Sequence, residues 1–209
     1  MEVLRSSLGD DLINFTFLGS LLLLVLSRFI LIPKSEPIFK FSSLSFESEN
    51  FTLYIAICSF VYTVILALVL FPFFDIVIPF YQSEILKFII LFIILLIYHV
   101  FSYILGNAFF LILGKNKEYK ENYKNRYIFL FLKLFIFIFL CFAIYYSNIP
   151  KEYLTYITIG TLFTLLILEW IWLIFFIKKR INISTYYEFL YLCTFEILPA
   201  LCILKLVFL

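Results

Sequence analysis

Three ionisable side chains lie deep within long apolar stretches of this 209-residue sequence: His99, Glu169 and Glu196. A fourth, Lys133, lies about seven residues inside another such stretch, where its ammonium could reach outward to the headgroups or turn inward as a counter-ion. A charge at mid-bilayer costs at least ~2.5 to 3.5 kcal/mol on insertion scales. Each of these side chains is therefore a candidate functional group, which could relay a proton, hold a cation, form part of a catalytic or ligand site, or hydrogen-bond helices together in its neutral form.

The last apolar stretch combines Glu196 with Pro199. A proline inside a helix lacks an amide donor and displaces the carbonyl four residues earlier, here that of Phe195. Lipid cannot satisfy the freed carbonyl, so neighbouring helices must cover it. We therefore predict a helix kink at Pro199 and a close-packing stripe around Glu196, because Cys193 and Ala200 lie three residues before and four residues after it.

A second close-packing stripe is predicted on the third apolar stretch, where His99, Ser102 and Gly106 share one helical face. Glu169 and Glu196 each lie ~13 to 15 Å from the same end of their stretches, so their carboxyls could face one another. We expect His99, Lys133 and the two glutamates to form one intramembrane polar cluster.

The composition places these residues in a bilayer. Hydrophobic residues make up 65% of the chain and charged residues only 14%, whereas the apolar share of soluble domains is nearer half. Apolar runs long enough to cross a bilayer indicate an all-α bundle of six transmembrane helices in a single domain, residues 1–209. The predicted spans are residues 12–32, 51–71, 85–113, 127–146, 153–177 and 186–208.

The distribution of lysine and arginine predicts the orientation. These residues are concentrated in the segments after spans one, three and five, which places those segments in the cytoplasm and both termini on the other side. The most charged segment, residues 114–126, is predicted to be a solvated cytoplasmic loop that sets this orientation, or else a docking surface for anionic lipid or a partner protein. Its basic residues are Lys115, Lys117, Lys120, Lys124 and Arg126.

Several classes of function are disfavoured. The net charge of +2 is too small and too scattered to indicate a nucleic-acid surface. The four cysteines lie in apolar runs without Cys-x-x-Cys spacing, so we expect packing roles for them, with neither a disulfide framework nor a zinc site. No metalloprotease motif, phosphate-binding loop or nucleophile elbow is present in the sequence. We expect no cofactor and no metal.

The segment YLCTFEILP at residues 191–199, followed by Lys205-Leu206, resembles the closing signature of a Bacteroidota family of integral membrane proteins, domain of unknown function 4271. A Pro-Lys exit from span one, a glycine in span three and the pair Glu118-Tyr119 extend the resemblance over most of the chain. The resemblance implies a location in the cytoplasmic membrane of a diderm bacterium, and it implies no activity.

Three functional hypotheses remain open from the sequence. The first is a non-enzymatic scaffold or accessory subunit of a membrane complex, with the lipid bilayer and a membrane protein or a second copy of the chain as partners. The second is a small proton- or ion-coupled transporter or channel-like element that uses the intramembrane Glu and His residues. The third is a lipid-modifying enzyme.

Overall fold

The computed structural model describes residues 10–31, 49–74, 84–114, 116–180, 192–199, 201–202 and 205. These residues form five long α-helices: α1 (Asp10–Leu31), α2 (Glu49–Leu70), α3 (Glu84–Ile112), α4 (Asn116–Tyr146) and α5 (Lys151–Arg180). A 3₁₀ turn, Phe71–Phe73, extends α2, and a short π-helical segment, Leu192–Ile197, follows α5. No strand occurs in these ranges, which confirms the predicted all-α fold.

Each long helix contains a stretch that is long and apolar enough to cross a membrane. Within the described part of the chain these stretches are Leu12–Leu31, Leu53–Phe73, Glu84–Ile112, Phe129–Tyr146 and Glu152–Trp172. Within the predicted sixth span, residues 186–208, the structure describes residues 192–199, 201–202 and 205.

Helix α2 lies at the centre of the bundle and packs against α1, α3 and α4. Its membrane stretch is 61% buried, whereas the other four stretches are between 11% and 28% buried. The sequence explains this position because α2 has apolar residues on every side, as expected of a helix surrounded by protein. Ile65, Ala67, Leu68 and Val69 have no exposed surface at all.

Helix α1 buries a narrow stripe and exposes the rest of its apolar surface. The buried residues of α1 follow one another at steps of four, three and seven residues: Ile13, Phe17, Ser20 and Ser27. These steps keep them on one helical face, and α1 packs on α2. Phe15 is 84% exposed on the opposite side, where a bilayer would solvate it. The serine hydroxyls donate to carbonyls within α1, so these two small polar residues satisfy their own hydrogen bonds at the interface.

The end of α2 is held by a hydrogen bond from α4. Pro72 has no amide hydrogen, so the carbonyl of Leu68 lacks the donor that an α-helix normally supplies four residues later. The hydroxyl of Tyr145 donates to this carbonyl at 2.8 Å. A side chain of α4 therefore satisfies the backbone acceptor that the proline of α2 leaves open.

The α3–α4 connection is much shorter than predicted. Helix α3 ends in a turn at Leu113-Gly114, where Gly114 has a φ of 69° and its amide donates to the carbonyl of Leu111 at 3.0 Å. This left-handed conformation favours glycine because a side chain would be strained there. Helix α4 begins two residues later, at Asn116.

The prediction of a loop over residues 114–126 is therefore wrong from Asn116 onward. Lys117, Lys120, Lys124 and Arg126 belong to the first turns of α4, and Lys115 lies outside the described residues. Lysine and glutamate are good helix formers, and Glu121 lies four residues after Lys117, a spacing that stabilises an exposed helix. Charge identifies exposure to water but does not distinguish a loop from a helix.

Candidate functional site: a polar cluster between four helices

A buried ion pair links α4 to α5. Lys133 Nζ donates to Glu169 Oε2, and each side chain is only 12% exposed. Both residues project from apolar helix segments, Phe129–Tyr146 and Glu152–Trp172. Each charge is therefore compensated by an opposite charge on the neighbouring helix and does not depend on contact with water.

Glu169 continues the buried face of α5. Leu154, Thr158 and Leu165 precede it at helical spacing and are buried, and α5 packs against α4. Because this face is directed into the bundle, Glu169 cannot extend to the aqueous surface as a residue on the lipid-facing side could. Lys133 precedes the buried Leu134 and Phe137 on α4 and lies on the same side of that helix.

Tyr62 of α2 is the third member of the cluster. It is buried, and its ring stacks on that of Phe137 with a centroid distance of 5.7 Å and an interplanar angle of 30°. Phe137 lies one helical turn after Lys133 on α4. Tyr62 therefore packs against the part of α4 that carries the lysine of the ion pair.

His99 of α3 contacts two tyrosine rings, one of them that of Tyr62. Its ring centroid is 5.3 Å from that of Tyr62 and 5.3 Å from that of Tyr98, and both contacts are tilted. The Nε2 atom of His99 is buried. The candidate site thus consists of the Lys133–Glu169 pair between α4 and α5 and the His99–Tyr62 contact between α3 and α2, with the ring of Tyr62 packed on Phe137 of α4.

Of the four residues predicted for the polar cluster, Lys133 and Glu169 form an ion pair, whereas His99 contacts the rings of Tyr62 and Tyr98. Glu196 has its backbone in the π-helical segment, but its side chain lies outside the described part of the chain. The facing of Glu196 and Glu169 therefore stays a prediction. Lys133 turns inward, one of the two orientations expected from the sequence.

The residues of the predicted close-packing stripes lie on α3 and near the π-helical segment, which pack against each other. Gly106 is buried, whereas Ser102 and Cys193 are half-buried. Ala200 lies outside the described residues.

Pro199 immediately follows a widened helical turn. The segment Leu192–Ile197 is π-helical, and Leu198 and Pro199 continue it as helix. A π-helical turn bonds to the fifth residue along instead of the fourth, and such turns often accompany a bend. The kink predicted at Pro199 therefore has an irregular backbone directly before it.

Sequence reasoning missed Tyr62 and Tyr145. The chain has 15 tyrosines, so neither stands out by type. For Tyr145 the available signal was Pro72 near the end of an apolar span, which implies an open carbonyl and hence a donor elsewhere. For Tyr62 the signal was its position at the middle of a span, where a hydroxyl needs a partner.

The cluster contains groups that can exchange protons and form hydrogen bonds. Among the described residues no three His, Cys, Asp or Glu side chains are grouped so that they could hold a metal ion. Cys58 and Cys141 are buried as packing residues, and Cys202 is exposed. The chemistry that this arrangement supports is ion pairing and proton exchange within the bundle.

The fold and the site together define a class: a helical bundle whose helices are long and apolar enough to cross a membrane, with a buried ion pair between two neighbouring helices. A family profile described as Domain of unknown function (DUF4271) matches residues 12–207, and the chain belongs to this family. The family resemblance of the closing segment is thereby confirmed. No curated protein and no solved structure matches the chain.

Proposed function

We propose that this chain is a multi-pass protein of the bacterial cytoplasmic (inner) membrane that acts as a non-enzymatic scaffold or accessory subunit of a membrane complex. It spans the membrane six times, with the segment 186–208 as the last span and both termini on the non-cytoplasmic side. The five long apolar helices and the family membership support the membrane assignment. The concentration of Lys and Arg after spans one, three and five supports the orientation and the inner membrane.

The Lys133–Glu169 ion pair is the observation that carries the scaffold proposal. The two opposite charges neutralise each other between adjacent helices, as expected of a device that fixes helix packing. Buried polar pairs in other proteins specify register and partner choice, although a hydrophobic pair of similar volume often gives equal stability. A scaffold requires a defined shape for its partner, and this pair fixes one helix against the next.

Affinity purification of the tagged full-length chain from its native membrane tests the scaffold proposal. We expect proteins that co-purify at fixed stoichiometry with the wild type. Because the pair acts through packing, the double variant Lys133→Met with Glu169→Leu should retain these partners, while either single variant should lose them together with its own accumulation. A chain that accumulates normally and brings down no stoichiometric partner would contradict a scaffold role.

A proton-coupled function is the second candidate, because the ring of Tyr62 contacts the imidazole of His99 and packs on Phe137, one helical turn from the lysine of the ion pair. A tyrosine hydroxyl can pass a proton between an imidazole and a carboxylate that lie within hydrogen-bond reach of it. The full chain in proteoliposomes, with an internal pH-sensitive dye, would report proton uptake. Tyr62→Phe keeps the ring packing and removes the hydroxyl, so it should abolish uptake if the relay operates and should leave a scaffold unaffected.

A further inference from the structure

A pair of aromatic rings lies one helical turn from the Lys133–Glu169 ion pair. The ring centroids of Phe129 on α4 and Trp172 on α5 are 5.0 Å apart, and the ring planes meet at 52°. Phe129 lies four residues before Lys133, ~6 Å along α4. Trp172 lies three residues after Glu169, ~4.5 Å along α5. Because the two helices are antiparallel, both rings are displaced from the ion pair toward the same end of the bundle.

The ring pair and the ion pair share one interface between α4 and α5. With 3.6 residues per turn, Phe129 is rotated by only ~40° from Lys133 about the axis of α4. Trp172 is rotated by ~60° from Glu169 about the axis of α5. The contact between the two rings therefore puts apolar surface directly beside the paired charges.

The packed core closes the other side of the ion pair. Phe137 lies one turn after Lys133 on α4, and Leu165 lies one turn before Glu169 on α5; they are only 1% and 4% exposed. The side chains of the ion pair are each 12% exposed, and the two residues of the ring pair are half-buried. Exposure therefore rises from the core through the ion pair to the ring pair.

The ring pair lies close to the polar ends of both helices. Arg126 precedes Phe129 by three residues, ~4.5 Å along α4, and Lys178 follows Trp172 by six residues, ~9 Å along α5. Both helices are continuous over these positions. Basic residues at the end of an apolar segment lie at the headgroups and water, so the rings separate this aqueous end from the ion pair.

We propose that Phe129 and Trp172 form a hydrophobic seal that keeps water from the Lys133–Glu169 pair. A narrow apolar constriction excludes water because it offers no hydrogen-bonding groups. Excluding water strengthens the attraction between opposite charges, since the effective dielectric constant falls. The seal concerns only the access of water to the pair, so it does not depend on whether the chain is a scaffold or a proton-coupled protein.

The reaction of a cysteine at position 169 with a water-borne reagent tests the seal. The probe chain carries Glu169→Cys with Lys133→Met, which leaves no unpaired charge, and retains Cys141 while the other three native cysteines are replaced by alanine. The full chain, purified in detergent micelles, is treated with the cationic reagent 2-(trimethylammonium)ethyl methanethiosulfonate. Mass spectrometry follows the modification of each thiol with time. With both rings present, we expect position 169 to react slowly.

Removing either ring should expose position 169 and leave Cys141 protected. Phe129→Ala or Trp172→Ala should raise the rate at position 169 about tenfold, which corresponds to a barrier lower by about 1.4 kcal/mol. Trp172→Leu retains apolar bulk and should keep the rate low. Cys141 is 1% exposed and lies two turns farther into the bundle on α4 than position 133, so it reacts only when the bundle itself opens.

The matched control is Phe135→Ala, which removes one ring of a different aromatic pair on α4. The ring centroids of Phe135 and Phe139 are 4.9 Å apart, and both side chains are 61% exposed on the face opposite the ion pair. This control should leave position 169 as slow as in the probe chain.

Fast modification of position 169 with both rings present would overturn the seal, as would an unchanged rate after either ring is removed. An equal rise in the Phe135→Ala control would do the same. A rise at both thiols in both ring variants would also count against the proposal, because the rings would then act on the fold as a whole.

Discussion

At the scale of single residues, the buried Lys133–Glu169 pair makes each partner sensitive to replacement of the other. Removing one partner of a buried ion pair leaves an uncompensated charge and costs about 3 to 5 kcal/mol, whereas replacing both partners with apolar residues of similar volume is often neutral. We expect Lys133→Met and Glu169→Leu each to lower the stability of the protein by this amount.

The double variant should recover most of that loss. Denaturant unfolding of the purified chain in mixed micelles would measure the four members of this double-mutant cycle. Additive losses in the double variant would show that the two residues act independently, contrary to the ion pair.

Thr158 supports a second residue-scale prediction. Its hydroxyl is fully buried, and within the described part of the chain its Oγ1 has no hydrogen-bond partner. An unsatisfied buried hydroxyl destabilises a protein by about 1 to 3 kcal/mol, and valine has the same shape without it. Thr158→Val should therefore raise the unfolding free energy.

Thr161→Val is the matched control for this prediction. Thr161 lies on the same helix, and its hydroxyl donates to the carbonyl of Ile157 at 2.7 Å. A local bond of this kind leaves less to be gained, so the control should change stability less than Thr158→Val does. A loss of stability in Thr158→Val would indicate that the hydroxyl has a partner after all.

The site could be anticipated only in part from single residues. Glu169, Lys133 and His99 could be predicted because they lie deep in apolar runs. Placing a charge there costs free energy, so an ionisable residue at such a position indicates a special role. Their partners were not readable, since pairing depends on which helices are neighbours and how each is rotated. Tyr62 was missed for the same reason: its position in the middle of a span indicates that its hydroxyl needs a partner but does not show which helix lies beside it.

At the scale of helices, Pro72 and Tyr145 form a coupled pair. Tyr145→Phe leaves the carbonyl of Leu68 without its donor, and we expect a loss of about 1 to 3 kcal/mol. Pro72→Ala restores an amide hydrogen at the correct position for that carbonyl. In the Pro72→Ala background, Tyr145→Phe should therefore have little effect.

The coupling would be measured by thermal unfolding of four proteins: the wild type, the two single variants and the double variant. The readout is the fraction of each protein that stays a soluble monomer after heating. The neighbouring variant Tyr146→Phe provides a matched control, since its hydroxyl bonds to Asn14 at the exposed surface and its loss should be small. An equal penalty for Tyr145→Phe in both backgrounds would show that the hydroxyl acts elsewhere.

Helix positions follow closely from the apolar runs, but a helix end does so only where the helix stops together with the run. The start of α3 at Glu84 and its end at Ile112 lie within one residue of the predicted span, because hydrophobicity and helix coincide there. Helix α4 extends eleven residues before its predicted start at residue 127, because lysine and glutamate continue a helix into water. Apolar length therefore gives the membrane crossing, and local propensity decides where the helix ends.

At the scale of the whole molecule, α2 is the element around which the chain folds. It contacts α1, α3 and α4 and contributes Tyr62 to the polar cluster. Helix α5 packs on α4 and is joined to it by the ion pair. A sequence read one span at a time indicates which segments can cross a membrane but not this central position, because every predicted span is apolar and, among the five described long helices, only α2 is enclosed.

The number of spans determines where the C-terminus lies, and this yields a whole-molecule prediction. With six spans, the C-terminus faces the side opposite the cationic end of α5; with five, it faces the same side. The test uses a chain whose four native cysteines are replaced by alanine or serine. Single cysteines are then introduced at position 120, at position 148 or after the last residue. Reaction with a membrane-impermeant maleimide shows on which side of the membrane each cysteine lies. Because lysine and arginine are retained in the cytoplasm, we expect positions 148 and the C-terminus to react from outside intact cells whose outer membrane has been permeabilised. Position 120 should react only after the cytoplasmic membrane is opened. If position 120 and the C-terminus are labelled under the same condition, the chain crosses the membrane five times and the six-span prediction is wrong.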